Sequence, residues 1–558
     1  MYLHVLFGSP GTGKTEALSD ILVDVELTRG LRLEECLVAS FTVDSSLEIV
    51  NRVMKKIGIR DEKEISGLMR RLWMGTIHSI CFSFCNELGI GVNKVMMPKD
   101  FIMWAERNGL EHLWKYGRSN VISQQTILKY GMIEPQDTEA GVILQAIEWV
   151  KHTHYEEVLK GRFEDYSRLI YKAPVLVETS ISLDYDKLPY YWYDYERYKE
   201  EGGKIDYTDM LLIAYAKDFT PPVKVMFIDE FQDLSPLKYA IYRKWKEKME
   251  RVYIVGDDDQ CIFKFIGSDA KQLLMERDIA DRVTILPKTY RLPLTNLSVS
   301  MRFIRSNIRS EKREDKWVEP RARGGIFRVV SGVKDICGFI EGNSVGSVFV
   351  LVRTNYHLRE LTRELFNHPR ILIPYEYIRP DAKSIYDIGF VNLVNGILKY
   401  EEEMTLSKEE WKSIASRLRR GVLKEGMLKE IIEGKENEYS FDMIQRMLKK
   451  PMMIDEIIMN LELSDIEVGL VSRYHIQRKS IELPIKVKIG TIHSAKGLQA
   501  DTVFLINNIT RKISKYIQMS RDNYEDEARV WYVGMTRAKE RVYIIDDYYR
   551  TGRKFPIE

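Results

Sequence analysis

The stretch Leu3 to Thr15, LHVLFGSPGTGKT, decides the fold. Leu3 to Phe7 is an unbroken apolar run with the length and composition of a strand buried on both faces. Gly8 to Thr15 then satisfies the phosphate-loop pattern G-x-x-x-x-G-K-[ST], and Glu16 to Val25 continues with a helical pattern. Strand, glycine loop and helix in that order bring backbone N–H groups and a helix N-terminus around a chain of phosphates. Gly8, Ser9, Pro10, Gly11, Thr12, Gly13, Lys14 and Thr15 are therefore the candidate nucleotide-binding residues, Lys14 bringing a point charge and Thr15 a hydroxyl for Mg2+.

A triphosphate site of this kind needs a second Mg2+ ligand and a base. Val223 to Ile228 runs straight into Asp229 and Glu230 (VKVMFIDEFQD). Asp229, at the end of a strand, can hold Mg2+ through water, and Glu230 is placed to activate a water for attack on the γ-phosphate. Read in isolation the two are surface acids after a strand; beside a phosphate loop they form the hydrolytic half of an ATP site. Far more chain separates Thr15 from Asp229 than one βαβ unit requires, so an insertion lies between them.

Further outward, Cys36 to Phe41, Val252 to Val255, Val348 to Val352 and Thr502 to Ile506 are similar apolar runs followed by helical patterns. The fold class is α/β with parallel sheets covered by helices. Two stretches differ, from about residue 87 to 200 and from about 377 to 483, and both read as mainly helical. The first carries the aromatic run Tyr190 to Tyr198 (YYWYDYERY), which suits packing within its own domain or stacking on bases. No Gly/Ser linker or internal repeat sets these stretches apart, so they branch directly from the α/β cores.

A length of 558 residues suggests about three to five compact units. The formal charge of +2, from 84 basic and 82 acidic residues, leaves any nucleic-acid surface to a local patch. The sequence has no apolar run long enough for a membrane span, and Met1 leads directly into a strand rather than a leader, so a soluble cytoplasmic protein is expected. Cys36, Cys81, Cys85, Cys261 and Cys337 are few and scattered, as reduced thiols are. Cys81 and Cys85 could share a helix face, but without a second ligand pair they read as buried thiols rather than zinc ligands.

Asp229 to Asp233 (DEFQD) followed by Gly256 to Gln260 (GDDDQ) resembles motifs II and III of the UvrD/Rep-type superfamily 1 DNA helicases. Phe41 and Thr42 resemble motif Ia, Gly75 to His78 (GTIH) motif Ib, and Asp206 to Leu212 (DYTDMLL) the motif that precedes the strand of Asp229. Thr289 to Arg291 (TYR) is similar to motif IV, Arg353 to Asn355 (RTN) to motif IVa, Thr491 to Leu498 (TIHSAKGL) to motif V and Tyr532 to Lys539 (YVGMTRAK) to motif VI. The order holds from residue 3 to 545, with the two insertions poorly matched.

This resemblance implies two RecA-like domains, each with a helical insertion. The first is formed by residues 1–86 and 201–287 with an insertion at 87–200, and the second by 288–376 and 484–558 with an insertion at 377–483. It implies an ATP- and Mg2+-dependent motor that moves 3' to 5' on single-stranded DNA and acts at junctions with duplex. Arg291 and Arg537 would reach the γ-phosphate from the second domain, Gln260 would sense it from the first, Tyr290 would stack on the base and Gln499 would hold the ribose. Phe41 and Phe265 would stack on bases, with Thr42, His78, Asn355, Thr491 and His493 as further strand contacts.

The sequence departs from the family pattern at several places. Only seven residues precede Gly8, where family members carry an adenine-reading glutamine segment, and Glu16 stands where an arginine is common. Gln499 replaces a glutamate and Phe265 a tryptophan, and both insertions are short. Relaxed nucleotide choice is therefore expected, and unwinding beyond translocation depends on the insertions or on a protein partner. A scaffold or loader switched by ATP is the rival reading. Stacking does not read the 2'-hydroxyl, so the motifs leave RNA as well as DNA open, and repair and replication alike.

Overall fold

The computed structural model of the protein describes residues 1–41, 43–61, 72–112, 138–179, 181–330, 334–342, 346–366, 372–378, 384–546 and 553–557. The first sheet is built from β1 (Tyr2–Phe7), β2 (Cys36–Ser40), β3 (Trp73–Thr76), β4 (Val225–Ile228), β5 (Arg251–Gly256) and β6 (Arg282–Ile285). Its order is β3-β2-β4-β5-β1-β6 and every pairing is parallel. β2 and β4 are buried along their whole length and β1 and β5 nearly so, which is why their sequences are continuous apolar runs rather than alternating ones. β6 is an edge strand with Arg282 and Val283 exposed, and its mixed sequence gives no such signal.

After β3 the chain leaves the sheet by the helix Ile77–Glu87 and returns by Tyr207–Ala216, both packed in the sheet's core, and between them lie the helices Pro98–Arg107, Glu139–Thr153 and Leu188–Gly202. This insertion has its own core around Trp104, Ile143, Ile147, Trp192 and Tyr195. The tyrosine run lies on the helix Leu188–Gly202, where Tyr191, Trp192 and Tyr195 point inward while Tyr190 and Tyr193 remain in solvent. The packing explanation therefore accounts for its buried members. Lys151 and Lys199, both buried, tie the insertion to the sheet domain through Asp206 (2.9 and 2.8 Å) and Asp209 (2.9 and 2.6 Å).

The second sheet comprises β7 (Ile326–Val330), β8 (Val348–Val352) and β9 (Tyr375–Tyr377). After an insertion holding a small antiparallel pair, β10 (Leu406–Ser407) and β11 (Glu438–Tyr439), it is completed by β12 (Val487–Thr491), β13 (Ala500–Ile506) and β14 (Ala538–Ile545). The order is β7-β14-β13-β8-β12-β9, again all parallel. One apolar cluster runs from Val350 and Ile489 of this sheet into Phe390, Trp411 and Ile457 of the insertion, so the two grow from a shared core without a linker. Cys36, Cys81, Cys85 and Cys261 are buried free thiols, and no helix of the described residues is long and apolar enough to cross a membrane.

The two sheet lobes meet over Asp257, Asp258 and Asp259, which follow β5 and are sealed from solvent. Lys316 donates to Asp257 at 2.8 Å and lies 2.9 Å from Asp259, and it also donates to Asp258. Arg313 donates to Asp259 at 2.7 Å, and Arg529 reaches the Asp258 carbonyl at 3.1 Å. Against the cost of burial, the three carboxylates hold the Lys316 ammonium well above its ordinary value. Lys316→Ala strands these charges and is expected to destabilise the protein by about 3–5 kcal/mol, the range for breaking a buried ion pair. Thermal melting checks this, with removal of the exposed Lys160–Glu156 pair leaving the transition unchanged as the control.

Candidate active site

The phosphate loop curls between β1 and the helix Lys14–Asp20, which runs on into the wider π-helical turn Ile21–Leu27. Gly11 and Gly13 take φ of +75° and +76°, the left-handed region that L side chains avoid. Lys14 Nζ donates to the Gly8 carbonyl at 3.1 Å and Thr12 Oγ1 to that of Ser9 at 2.9 Å, closing the loop on itself. Thr15 Oγ1 donates to Asp229 Oδ2 at 2.8 Å, joining the loop to the end of β4. Burial and the adjacent Glu230 push the Asp229 carboxyl up to about 7. A buried carboxylate beside a hydroxyl is a donor set that suits a hard divalent cation, so these residues fit Mg2+.

Glu230 stands at φ 51°, a strained turn that carries its carboxylate into the cleft. Gln232 Nε2 donates to Glu230 Oε2 at 2.5 Å, and Gln232 Oε1 accepts from the Asp257 N–H at 2.9 Å. Gln232 thus links the candidate base to the acidic seam, a role that its position two residues after Glu230 does not announce. The Asp257–Asp259 cluster has the spacing of a cation site, but its oxygens are taken by Lys316 and Arg313.

The second lobe closes over this loop. Thr289 Oγ1 donates to the Pro10 carbonyl at 2.8 Å, and the Tyr290 N–H to that of Gly11 at 2.7 Å. The Tyr290 ring is 67% exposed at the edge of the loop. Arg291 Nε donates to Gln499 Oε1 at 2.9 Å, so Gln499 holds a guanidinium as well as facing the cleft. Arg537 donates to Gln260 Oε1 at 2.7 Å, a direct bond between the lobes. Burial pushes the Arg291 guanidinium down to about 10; burial together with the field of Arg291 pushes that of Arg537 down to about 9. Two cations that disfavour one another in a desolvated cleft make a seat for a polyanion. Glu16 pairs with Lys56 at 2.9 Å and with Arg52, which itself lines the cleft, so a guanidinium stands beside Glu16 from another helix.

One continuous cleft of about 1310 Å³ is lined by Lys14, Glu230, Gln260, Tyr290, Arg291 and Arg537 and, farther along, by Phe41, Phe265, Asn355, Thr491 and His493. Phe265 is half-buried, edge-on to His493 at 6.0 Å. Asn355 opens the helix Asn355–Leu361, and the Thr491 hydroxyl accepts from the Ser494 N–H at 3.2 Å. Burial, with Arg353 nearby, pushes the His493 imidazole down to about 3, so it is neutral.

Two expectations need correction. His78 is 3% exposed, set edge-on to His152 at 6.4 Å and held neutral by burial and by Lys238, so it offers no surface to a strand. Phe41 is 7% exposed because Phe263 stacks on it at 4.7 Å and the Lys238 ammonium sits 4.7 Å from its ring centre, so it is not an open platform. Thr42 lies outside the described residues. Sequence reasoning also passed over Lys496, the lysine of TIHSAKGL. It donates to Asp233 Oδ1 at 2.7 Å and to the Gln260 carbonyl at 2.6 Å, pinning the second lobe to the first.

Comparison with known families bears on this arrangement directly. Residues 3–280 match the UvrD/REP helicase N-terminal domain, and residues 393–548 match the UvrD-like helicase C-terminal domain. The chain belongs to the UvrD/Rep helicase family. It is 24% identical to YjcD of Bacillus subtilis over 99% of this chain and 78% of that protein. It is 21% identical to the ATP-dependent DNA helicase Rep of Buchnera aphidicola, covering 98% and 93% of the two chains. The ATP-dependent DNA helicase PcrA of Staphylococcus aureus is likewise 21% identical, covering 97% and 80%. The two parallel sheets are therefore the RecA-like pair of a UvrD/Rep-family protein.

In this UvrD/Rep-type cleft, a Cβ on Gly11 would fall 2.4 Å from Arg291 Cβ and 2.9 Å from Thr289 Oγ1. Gly11→Ala is expected to push the second lobe off the loop and weaken nucleotide binding about tenfold or more, a loss near 1.4 kcal/mol or above. Titration with a fluorescent ATP analogue measures it.

Proposed function

We propose that the protein is an ATP-dependent DNA helicase that hydrolyses ATP at the seam of its two RecA-like lobes and moves 3' to 5' on single-stranded DNA. The observation that carries this reading is the Arg537–Gln260 bond at 2.7 Å, in the same cleft as Lys14 and Glu230. The phosphate loop and Lys14 bind the β- and γ-phosphates. Glu230, held in place by Gln232, takes the proton of the attacking water. Arg291 and Arg537 meet the negative charge that builds on the transferring oxygens, where cations act most strongly in a desolvated site. Thr15 and Asp229 would hold Mg2+, which neutralises phosphate charge when bound.

Hydrolysis removes the group that the seam grips, so the arginines lose their shared anion and the lobes part. Phe265, Asn355, Thr491 and His493 line the same cleft from both lobes, and relative motion of the lobes is what moves a strand held there. The relatives named Rep and PcrA support DNA as the polymer, and the motif resemblance supports the direction. Tyr290 is free to stack on a purine, while Gln499, bonded to Arg291, is a weaker ribose ligand than a free carboxylate, which favours relaxed nucleotide choice.

ATP hydrolysis is expected to rise on addition of single-stranded DNA. Arg537→Ala and Glu230→Gln lower kcat by about 10³-fold or more, as removal of an arginine finger does, while ATP still binds. Steady-state rates with DNA and RNA homopolymers, followed by strand displacement on a tailed duplex, test the whole reading. Normal turnover by Arg537→Ala would sink the two-lobe site.

A further inference from the structure

Asp233 stands between two lysines that belong to different lobes. Lys496, from the second, is bonded to it at 2.7 Å. Lys238, from the helix Pro236–Lys246 of the first, is 3% exposed and lies in the fields of Asp233 and Glu148. Yet Lys238 makes no hydrogen bond or ion pair through its ammonium to any described residue, and burial pushes it down to about 8. What it touches is the Phe41 ring, 4.7 Å from the centroid. Phe41 stacks on Phe263 at 4.7 Å and 21°, and Phe263 in turn carries the Lys496 ammonium 4.8 Å from its centre.

The result is a chain of cation, ring, ring and cation whose two ends look toward one carboxylate. A sealed carboxylate that loses its only bonded cation must be protonated, hydrated or paired again. Lys496 moves with the second lobe, whereas Lys238 is fixed to the same lobe as Asp233 and is already within its field.

We infer that Lys238 is a positioning residue, the alternate partner of Asp233. It takes the place of Lys496 when the lobes separate and, by leaving the face of Phe41, passes the state of the nucleotide cleft to the aromatic stack. In the closed arrangement Asp233 holds Lys496, and Lys238 holds Phe41 against Phe263. In the open arrangement Asp233 holds Lys238, and the Phe41 ring loses the cation that fixes it against Phe263. The inference rests on reading the cleft as an ATP-gated, strand-binding seam.

The test is the affinity of the full chain for a labelled oligo-dT, measured without nucleotide and with a non-hydrolysable ATP analogue plus Mg2+. The two affinities of the wild type are expected to differ about tenfold, an ordinary size for coupling between sites. Lys238→Met keeps the length of the side chain and removes its charge. It is expected to bring the ratio to within about twofold, whereas Lys238→Arg keeps most of it. Because Lys238→Met removes a buried charge without a bonded partner, its melting temperature should not fall, so a merely structural role would leave the ratio intact. Asp233→Asn, which removes the shared carboxylate, should also flatten the ratio. A Lys238→Met protein that keeps the wild-type ratio overturns the inference while leaving the helicase reading in place. A wild type whose ratio is one sinks that reading and the inference with it.

Discussion

Three carboxylates sealed from water at the end of β5 have to be matched by cations, and the cations come from the far side of the molecule. Burying a charge is tolerable only when its partners are in place, so Asp257, Asp258 and Asp259 bring Lys316 and Arg313 against the first lobe, and Arg529 adds a bond to the Asp258 carbonyl. That demand fixes where the second lobe sits. Gln260 follows the acidic cluster directly, and it is held against Arg537 because its three neighbours are already anchored. The placing of Gln260 against Arg537 in the candidate site is thus a consequence of a structural charge balance one residue away.

The same seam explains why the cleft is built from small tolerances. Pro10 and Gly11 offer their carbonyls to Thr289 and Tyr290, which is possible because Gly11 presents no Cβ to Arg291. Lys496 adds a second clamp through Asp233 and the Gln260 carbonyl. Phosphate loop, candidate base and arginines are therefore tied into one network in which few groups can move alone. Any relative movement of the lobes would therefore have to be a collective event.

Much of this was legible in the sequence, for physical reasons that can be named. Parallel strands covered on both faces need unbroken apolar runs, so β1, β2, β4, β5, β8 and β13 announce themselves. β6 and β7 lie at sheet edges with exposed residues, β3 is short and includes a glycine, and β14 carries Lys539, Glu540 and Arg541 directly after its first residue, so none of them shows such a run. Chemistry confined to a short motif marks its own candidates, which is why Lys14, Glu230, Gln260 and Arg537 stand out in the sequence, and the fold brings all four to one cleft. Chemistry made by distant residues does not. Lys316 and Arg313 lie in an ordinary charged stretch, SEKREDKW, and only the fold brings them to Asp258 and Asp259. His78 and Phe41 were misread for the same reason, since a motif gives residue type but not what covers it: His152 and Lys238 arrive from other helices.

The central claim is that one triphosphate is shared by two lobes. A structure of the protein with a non-hydrolysable ATP analogue and Mg2+ tests it most directly. The account predicts a γ-phosphate oxygen in hydrogen-bond contact with both Lys14 Nζ and the Arg537 guanidinium. A nucleotide touching the phosphate loop alone, with Arg537 still bonded to Gln260 and turned away from it, would contradict it.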